Sequence, residues 1–385
     1  MSAARLVPGR PAIRRQWKGD SINLSEVVSQ IDKLQAEISR LEAAEDEHIT
    51  SRSKVLELVV VASDEPEAER VAEIVSDLAD RHPCRAVIVL DQPGGEDRID
   101  AAVTVAASTQ ISCDMCQYEE VFLRVRGRAA EHIPSLVESL AVADVPAFLW
   151  WTGSPPVGSD RFREALSVAD AALVDSGAFV EPARTFVELV WLRRKMGGEM
   201  LFADFAWGRV HPWRELLAQF FNPPDRRSLL PGIREVQIEH AGSNSVGASL
   251  LSGWLAAVLR WRLEKVAGGR GLVSLVYSRS GRSINVHLQR ASRDDLSEGE
   301  IAALTVAAAA DGRPCRLVAK RHPGDESQVE ITGTIDERPL AGRVVPMAPA
   351  DETTLLSHLL VTCRSDDLFE RASAEAAEGL ASSAM

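Results

Sequence analysis

The sequence predicts an α/β protein in which a mixed, partly parallel α/β sandwich domain is followed by an α+β domain. The chain has 385 residues, of which 45% are hydrophobic, and at ordinary domain sizes this length divides into two cores. From residue 55 onward, short apolar β-branched runs alternate with helical patterns, which indicates a sheet covered on both faces. After residue 228 the predicted strands follow one another more closely, as in α+β folds.

The first 54 residues precede this alternation and contain a basic arm and an amphipathic helix. The arm carries interspersed Pro and Gly, which predicts a flexible, solvated tail; its cations are Arg5, Arg10, Arg14, Arg15 and Lys18. The helix has one apolar stripe, formed by Leu24, Val27, Ile31, Leu34, Ile38 and Leu41. Because the stripe is too short for a confident coiled coil, we expect it to pack on its own domain.

Residues 55–228 form the predicted α/β domain. Its predicted strands are 56–61, 86–90, 101–106, 121–125, 147–151 and 171–174. Its predicted helices are 66–81, 133–141, 182–195 and 212–221. The last helix ends at Asn222, because Pro223 and Pro224 cannot continue it, and we place the domain boundary in the polar stretch that follows.

Residues 229–385 form the predicted α+β domain. Its predicted strands are 235–239, 272–277, 283–288, 301–307, 316–319 and 329–335. Its predicted helices are 250–263, 353–363 and 367–380. The second and third strands form a hairpin around Ser280, Gly281 and Arg282.

Charge and composition exclude several classes of partner. The formal net charge of -13 repels nucleic acid and anionic membranes, so neither is an expected partner. No apolar run is long enough to cross a bilayer, and the start lacks an apolar signal segment, which predicts a cytoplasmic protein. Five cysteines, an odd number, do not form a disulfide framework, and we expect reduced thiols.

Catalytic motifs are absent from the sequence. It has no Gly-x-Ser-x-Gly elbow, no His-Glu-x-x-His pair and no Gly-x-Gly-x-x-Gly after a strand. The hydrolase, zinc-peptidase and dinucleotide-binding classes therefore lose support. We expect a protein that is not an enzyme and that has no catalytic residues, no cofactor and no resident metal.

One loop has the glycine spacing of a phosphate-binding loop, between a predicted strand and a predicted helix. Its candidate anion-binding residues are Gly242, Ser245, Gly247 and Ser249. Ala248 stands where such loops carry the lysine that neutralises phosphates, so nucleotide hydrolysis is not expected. An ordinary helix-capping loop is the simpler interpretation, and anion binding is the alternative.

Cys113 and Cys116 form a Cys-x-x-Cys motif in a predicted loop between two strands. Such a pair can be a redox-sensitive dithiol, half of a zinc site, or two independent thiols. A zinc site would need two more ligands, for which His82 and Cys84 are candidates only if folding brings them close. These three interpretations remain open at this point.

Tryptophan and arginine cluster at two places and are the residue types enriched at interface hot spots. The partner-binding candidates are Trp150, Trp151, Trp207, Arg209, Trp213 and Arg214. Because consecutive strand residues face opposite sides of a sheet, at least one of the first two is expected near a surface. Core packing is the default interpretation for each tryptophan, since large aromatic side chains also dominate cores, and partner binding is the alternative.

Five segments together resemble the OpcA family of glucose-6-phosphate dehydrogenase assembly proteins. They are residues 82–90 (HPCRAVIVL), 145–156 (VPAFLWWTGSPP), 204–224 (DFAWGRVHPWRELLAQFFNPP), 251–255 (LSGWL) and 367–370 (DLFE). The similarity runs in consistent order from about residue 56 to residue 380, and the arm and the first helix lie outside it.

The resemblance implies a non-catalytic partner that assembles and allosterically activates glucose-6-phosphate dehydrogenase, the enzyme that opens the oxidative pentose phosphate pathway. In cyanobacterial members the activation is connected with thioredoxin, which implies thioredoxin as a second partner and draws attention to the Cys-x-x-Cys motif. The alternative is an enzyme or sensor that binds a small molecule, a sugar phosphate or a nucleotide, through the loop at residues 242–249.

Overall fold

The computed structural model describes residues 13–44, 55–79, 82–110, 113–142, 144–197, 200–269, 271–363 and 366–383. The chain divides into two compact units. The first comprises Met1–Val174 and Met200–Phe202, and the second comprises Asp175–Glu199 and Ala203–Met385. The boundary predicted after residue 228 lies inside the second unit, because the helices that precede it pack there.

The first unit is built on an eight-stranded sheet. In chain order its strands are β1 (Ile13–Gly19), β2 (Leu56–Ala62), β3 (Cys84–Gln92), β4 (Arg98–Gln110), β5 (Cys113–Arg126), β6 (Ala147–Trp151), β7 (Ala171–Val174) and β8 (Leu201–Asp204). In space the order is β1-β4-β5-β3-β2-β6-β7-β8. The central pairs from β5 to β7 are parallel, whereas β4 pairs antiparallel with both β1 and β5.

The central strands of this sheet are buried on both faces. All seven residues of β2 are buried, Glu57 among them, as is usual for a central strand covered on both faces. The helices of this unit are α1 (Leu24–Ala44), α2 (Glu65–Ala79), α3 (Ile133–Glu138) and α4 (Asp160–Ser167). The predicted α/β class with a mixed, partly parallel sheet is confirmed.

The N-terminal segment corrects one prediction and confirms another. Residues 13–19, which include Arg14, Arg15 and Lys18, are not a flexible arm, because they form β1 and pair with β4. Arg5 and Arg10 lie outside the described residues. The stripe of α1 packs on its own unit against β4, with Val27 and Ile38 fully buried.

The second unit contains a nine-stranded sheet. Its strands are β9 (Ile233–Ala241), β10 (Arg262–Gly269), β11 (Leu272–Arg279), β12 (Arg282–Ala291), β13 (Ile301–Ala310), β14 (Arg313–His322), β15 (Asp325–Ile335), β16 (Arg338–Pro339) and β17 (Arg343–Pro346). The order is β10-β11-β12-β9-β13-β14-β15-β16, and β17 also pairs with β15. Apart from the parallel pair β9 and β12, neighbouring strands are antiparallel.

The helices of the second unit are α5 (Pro182–Lys195), α6 (Phe205–Arg209), α7 (His211–Phe221), α8 (Pro224–Arg227), α9 (Val246–Leu259), α10 (Glu352–Thr362) and α11 (Asp367–Ser383). Helix α9 packs against β9 and β12, and α11 packs against α9 and β10. A Cβ atom at Gly253 of α9 would lie 2.3 Å from the carbonyl oxygen of Ala372 in α11. Only glycine therefore permits this close approach of the two helices.

Helix α9 ends earlier than the sequence pattern predicts. The predicted helix at residues 250–263 stops at Leu259, because Arg260 adopts a left-handed conformation with φ of 56°. The chain then turns into β10, a strand that the sequence pattern does not reveal. In the described part of the chain, no helix is long and apolar enough to span a bilayer.

Candidate functional site

The turn from β2 into α2 is where a fold of this kind offers a ligand site. Ligands of open α/β sheets bind at the carboxyl ends of strands, where the strand order reverses, and β2 is that point because β3 and β6 flank it. Asp64 accepts a hydrogen bond from the Glu67 amide at 2.9 Å, and the Glu67 carboxylate accepts one from the Ser63 hydroxyl at 3.2 Å. The N-terminus of α2, which could otherwise bind a phosphate, is therefore capped by carboxylates of the chain itself.

The loop between β9 and α9 holds a second carboxylate. Glu298 accepts hydrogen bonds from the Asn244 amide at 2.6 Å, from the Ser243 hydroxyl at 2.9 Å, and from the Ser243 amide. Burial raises the pKa of Glu298, but these hydrogen bonds outweigh it and the pKa is lowered overall. The backbone N–H groups that could hold an external anion are therefore occupied by a side chain of the same unit.

The predicted anion-binding residues lie around this carboxylate. Gly242 has φ of +66°, and a Cβ atom there would lie 1.8 Å from Glu298, so glycine is required where the carboxylate enters the loop. Ser245 is the N-cap residue of α9, while Gly247 and Ser249 lie in its first turn. The Ser245 side chain makes no capping hydrogen bond; the Asn244 side chain accepts one from the Val246 amide at 3.0 Å.

A cleft of about 380 Å³ opens beside this loop within the second unit. Its charged lining residues are Arg209, Arg321, Asp175, Glu298, Glu300, Asp351 and Glu352. Five carboxylates against two guanidinium groups leave three excess negative charges, which disfavours a sugar phosphate or a nucleotide. In the described part of the chain, no group of three or more His, Cys, Asp or Glu side chains is arranged to hold a metal ion.

The tryptophans of β6 are core residues, which corrects the prediction that one of them lies near a surface. Trp150 and Trp151 are 2% and 7% exposed. Both faces of the first sheet are covered at this strand, so alternation along it does not bring either side chain to solvent. The Trp151 ring contacts Phe162 of α4 edge-on, with 5.2 Å between ring centroids.

Trp207 and Arg214 form a packed cluster inside the second unit rather than an exposed anchor. Trp207 is buried, and its indole N–H donates to the Asp366 carboxylate at 2.7 Å. The Arg214 guanidinium stacks on the Trp207 ring, 3.4 Å from the ring centroid. Burial lowers the pKa of Arg214 to about 10, and the Asp366 charge partly opposes that effect. The geometry therefore assigns this pair to the packing of α6 and α7 against the start of α11.

Trp213 and Arg209 also have partners within the second unit. Trp213 is 1% exposed, and the Arg321 guanidinium lies 5.7 Å from the centroid of its ring. Arg209 donates two hydrogen bonds to the Asp175 carboxylate, at 2.6 and 2.7 Å. Trp207 and Trp213 are buried, as the core-packing interpretation expects, so neither side chain is an exposed anchor.

Two family models match most of the chain in consecutive order. Residues 75–190 match the glucose-6-phosphate dehydrogenase subunit N-terminal domain, and residues 200–373 match the C-terminal domain of the same subunit, both assigned to OpcA. The chain belongs to the OpcA family. Its membership confirms the resemblance carried by the five sequence segments.

Relatives in cyanobacteria carry the same family name. The OxPP cycle protein OpcA of Nostoc punctiforme is 26% identical over 310 residues, which are 77% of this chain and 65% of the relative. The protein of that name from Synechocystis is 31% identical over 192 residues, which are 49% of this chain and 39% of the relative. This OpcA-family chain therefore spans less than two thirds of the length of the relatives it matches.

Among solved structures, the chain is similar to the 3-ketoreductase KijD10 from Actinomadura kijaniata. The two share 11% identity and a TM-score of 0.48, over 86% of this chain and 97% of the other. This likeness is too distant to inform the function of the OpcA-family chain.

The Cys-x-x-Cys motif of this OpcA-family chain lies in a strand and not in a loop. Cys113 and Cys116 belong to β5, and their backbones pair with Gln110 and Ser108 of β4. Their side chains lie outside the described residues, so the dithiol hypothesis stays a prediction. Cys84 is fully buried, and burial raises the pKa of its thiol to about 12, as is usual for an unreactive core cysteine.

Trp191 is the exposed tryptophan that the sequence interpretation did not select. It lies on α5 with 49% of its surface exposed, and Val180 just before this helix is exposed as well. One face of this helix carries four residues spaced by four, three and four positions, namely Arg184, Glu188, Trp191 and Lys195. That spacing was present in the sequence and could have identified Trp191 as surface-exposed.

Proposed function

We propose that this chain is a non-catalytic partner of glucose-6-phosphate dehydrogenase that promotes assembly of the enzyme and favours its active conformation. Membership of the OpcA family supports this proposal, because the matching domain descriptions name that enzyme. The observation that supports the non-catalytic part is that carboxylates of the chain itself occupy backbone N–H groups at both candidate phosphate-binding positions, Asp64 at the start of α2 and Glu298 at the loop before α9.

The charge of the cleft supports the same conclusion. A catalyst acting on glucose 6-phosphate would have to hold a dianionic phosphate, and cations or backbone N–H groups are the usual means. In the cleft, Arg209 is already bonded to Asp175, and the Asn244 amide is already bonded to Glu298. The partner enzyme would therefore supply the coenzyme and sugar-phosphate chemistry.

An activator of this kind acts through a difference in affinity for two states of its partner. If the chain binds the active form of the dehydrogenase more tightly than the inactive form, binding shifts the population towards the active form. The shift is limited by the ratio of the two affinities. The contact surface must be exposed, and Trp191 on α5 is our candidate anchor, since exposed tryptophans are frequent hot spots.

The test is to titrate the purified chain into its cognate dehydrogenase and to measure the steady-state rate. We expect the chain alone to oxidise no glucose 6-phosphate, and the dehydrogenase to gain turnover or apparent substrate affinity as the chain is added. Replacing Trp191 with Ala should weaken binding to the dehydrogenase at least tenfold, and exchanging the Asp160 and Arg163 charges on the exposed surface of α4 is the matched control. Identical dehydrogenase kinetics with and without saturating chain would contradict the proposal.

A thermal-shift measurement separates this proposal from the small-molecule alternative. A ligand that binds only the folded state raises the melting temperature. We expect neither NADP nor glucose 6-phosphate to change the melting temperature of the chain alone. A rise of several degrees with either compound would instead favour the enzyme or sensor that uses the loop at residues 242–249.

A further inference from the structure

Among the residues that the structure describes, helices cover one face of the nine-stranded sheet of the second unit. Residues that alternate along its strands are buried beneath α9 and α11 on that face, for example Val236, Val286 and Leu304. On the opposite face Glu235, Arg316 and Lys320 are exposed, while the small residues Ala303 and Ala307 that lie between the charged strands are buried. We refer to this second surface as the open face.

The strand register orders the charges of the open face. Glu235 of β9 pairs with Ala307 of β13, which pairs on its other side with Arg316 of β14. Four residues further along the strands, Glu239, Ala303 and Lys320 form a second row of the same kind. The middle row consists of Gln237, Thr305 and Val318. An acidic strand and a basic strand thus lie on either side of a strand of small residues.

These charges do not neutralise one another within the chain. Strands β9 and β14 are separated by β13, so their backbones are about 9.6 Å apart at ordinary strand spacing. Within the described residues, Glu235, Glu239, Arg316 and Lys320 form no ion pair with one another. The acidic residues of β9 and the basic residues of β14 are therefore available to a partner surface that places basic groups opposite β9 and acidic groups opposite β14.

The open face of a second copy of the chain can present its charged strands in this opposite order. When a second copy is related by a two-fold axis parallel to β13, β9 of one copy faces β14 of the other, and positions along the strands are preserved. Glu235 then faces Arg316 of the other copy and Glu239 faces Lys320, each twice. A two-fold axis perpendicular to the strands would instead place Glu235 opposite Glu239, and the resulting like-charge contacts exclude it.

The shape and size of the open face also suit a second copy. Ala303, Thr305 and Ala307 lie on the axis, and their short side chains allow the two sheets to approach. The strands remain aligned, as in sheets packed face to face, because an axis parallel to β13 leaves its two copies parallel. Eight strands make a face about 34 Å wide and 26 Å long at usual spacings, so roughly 900 Å² per copy, the size of a standard specific interface.

We propose that the chain forms a two-fold dimer through the open face, with Glu235 and Glu239 of each copy paired with Arg316 and Lys320 of the other. This inference is independent of the proposed activation of the dehydrogenase. It predicts a dimer that weakens as salt is added, because the contacts at the edges of the face are ionic.

The experiment measures the mass of the full chain in solution by sedimentation, at micromolar concentrations and low salt. The wild-type chain should be a dimer. The variant E235R/E239R carries only basic groups at the four positions, and the variant R316E/K320E carries only acidic groups; each should dimerise about 100-fold more weakly. An equimolar mixture of the two variants should form a heterodimer, because the all-basic face complements the all-acidic face.

The combined variant E235R/E239R/R316E/K320E should recover the wild-type dimer, since it restores complementarity with the signs exchanged. Circular dichroism of each variant checks that the fold is intact, and exchanging the charges of Arg184 and Glu188 on α5 is the control that should leave the dimer unchanged. A monomeric wild-type chain, or reversal variants as dimeric as wild type, would overturn the proposal. If the chain is monomeric and the reversals abolish binding to the dehydrogenase, the open face binds that enzyme and not a second copy.

Discussion

Replacing Trp213 with Ala tests directly whether the tryptophans near residues 204–224 are core or interface residues. The side chain is 1% exposed, so the replacement removes nearly all of a buried tryptophan, a surface of about 200 Å². At about 25 cal/mol per Å² this is roughly 5 kcal/mol as an upper limit, and measured tryptophan truncations in cores cost about 3–5 kcal/mol. The lost contact with the Arg321 guanidinium adds to the effect.

The assay is denaturant and thermal unfolding of the full chain, followed by tryptophan fluorescence and by circular dichroism. At about 2–4 °C per kcal/mol, a loss of 3–5 kcal/mol lowers the melting temperature by roughly 10 °C. Trp191→Ala is the matched control: about half of that side chain is already exposed, so its loss should cost at most about 2 kcal/mol.

The two tryptophans should also differ in their effect on partner binding. The fraction of Trp213→Ala that remains folded should bind the dehydrogenase with unchanged affinity, whereas Trp191→Ala should bind weakly. A Trp213→Ala chain with an unchanged melting temperature and reduced affinity for the dehydrogenase would refute the reasoning from burial.

Three further predictions follow from other buried or bonded groups. Burial raises the pKa of Asp204 to about 6. The protonated side chain therefore contributes fully to the free energy of unfolding below the unfolded pKa of about 4, and this contribution is lost as pH rises through 6. Relative to Asp204→Asn, the wild-type free energy of unfolding should fall by about 3 kcal/mol between those pH values. The Glu298→Ala replacement should lower the free energy of unfolding by about 1–2 kcal/mol, because the hydrogen bonds of the carboxylate are lost. Inorganic phosphate should then raise the melting temperature of this variant but not that of the wild type. Any effect of oxidation on activation of the dehydrogenase should disappear in Cys113→Ser/Cys116→Ser; an effect that persists would move the redox group elsewhere.

Most of the central elements could be predicted because their patterns are local. The apolar runs at residues 147–151 and 171–174 coincide with β6 and β7, and Pro182 marks the first residue of α5. The strand β1 was missed because its sequence is basic and its stability comes from pairing with β4, which a single segment does not reveal. The end of α9 was missed because Arg260, and not glycine, adopts the left-handed conformation there.

The candidate site was predictable only in part, since its decisive contacts are distant in sequence. The glycine spacing at residues 242–249 identifies a loop between a strand and a helix, and that is where the loop lies. Glu298 follows Asn244 by 54 residues and carries no motif, so no local pattern reveals that it fills the loop. Whether Trp207 is exposed depends likewise on Asp366 and Phe369, which the C-terminal helix brings to it.

The carboxylate of Glu298 in the loop has a consequence for how such a protein responds to metabolism. A protein that binds a coenzyme is stabilised as the coenzyme concentration rises, so its folded population follows the metabolite pool. Here Glu298 is covalently part of the chain, and its local concentration beside Ser243 and Asn244 is constant. The order of this loop is therefore set by contacts within the chain and needs no bound phosphate.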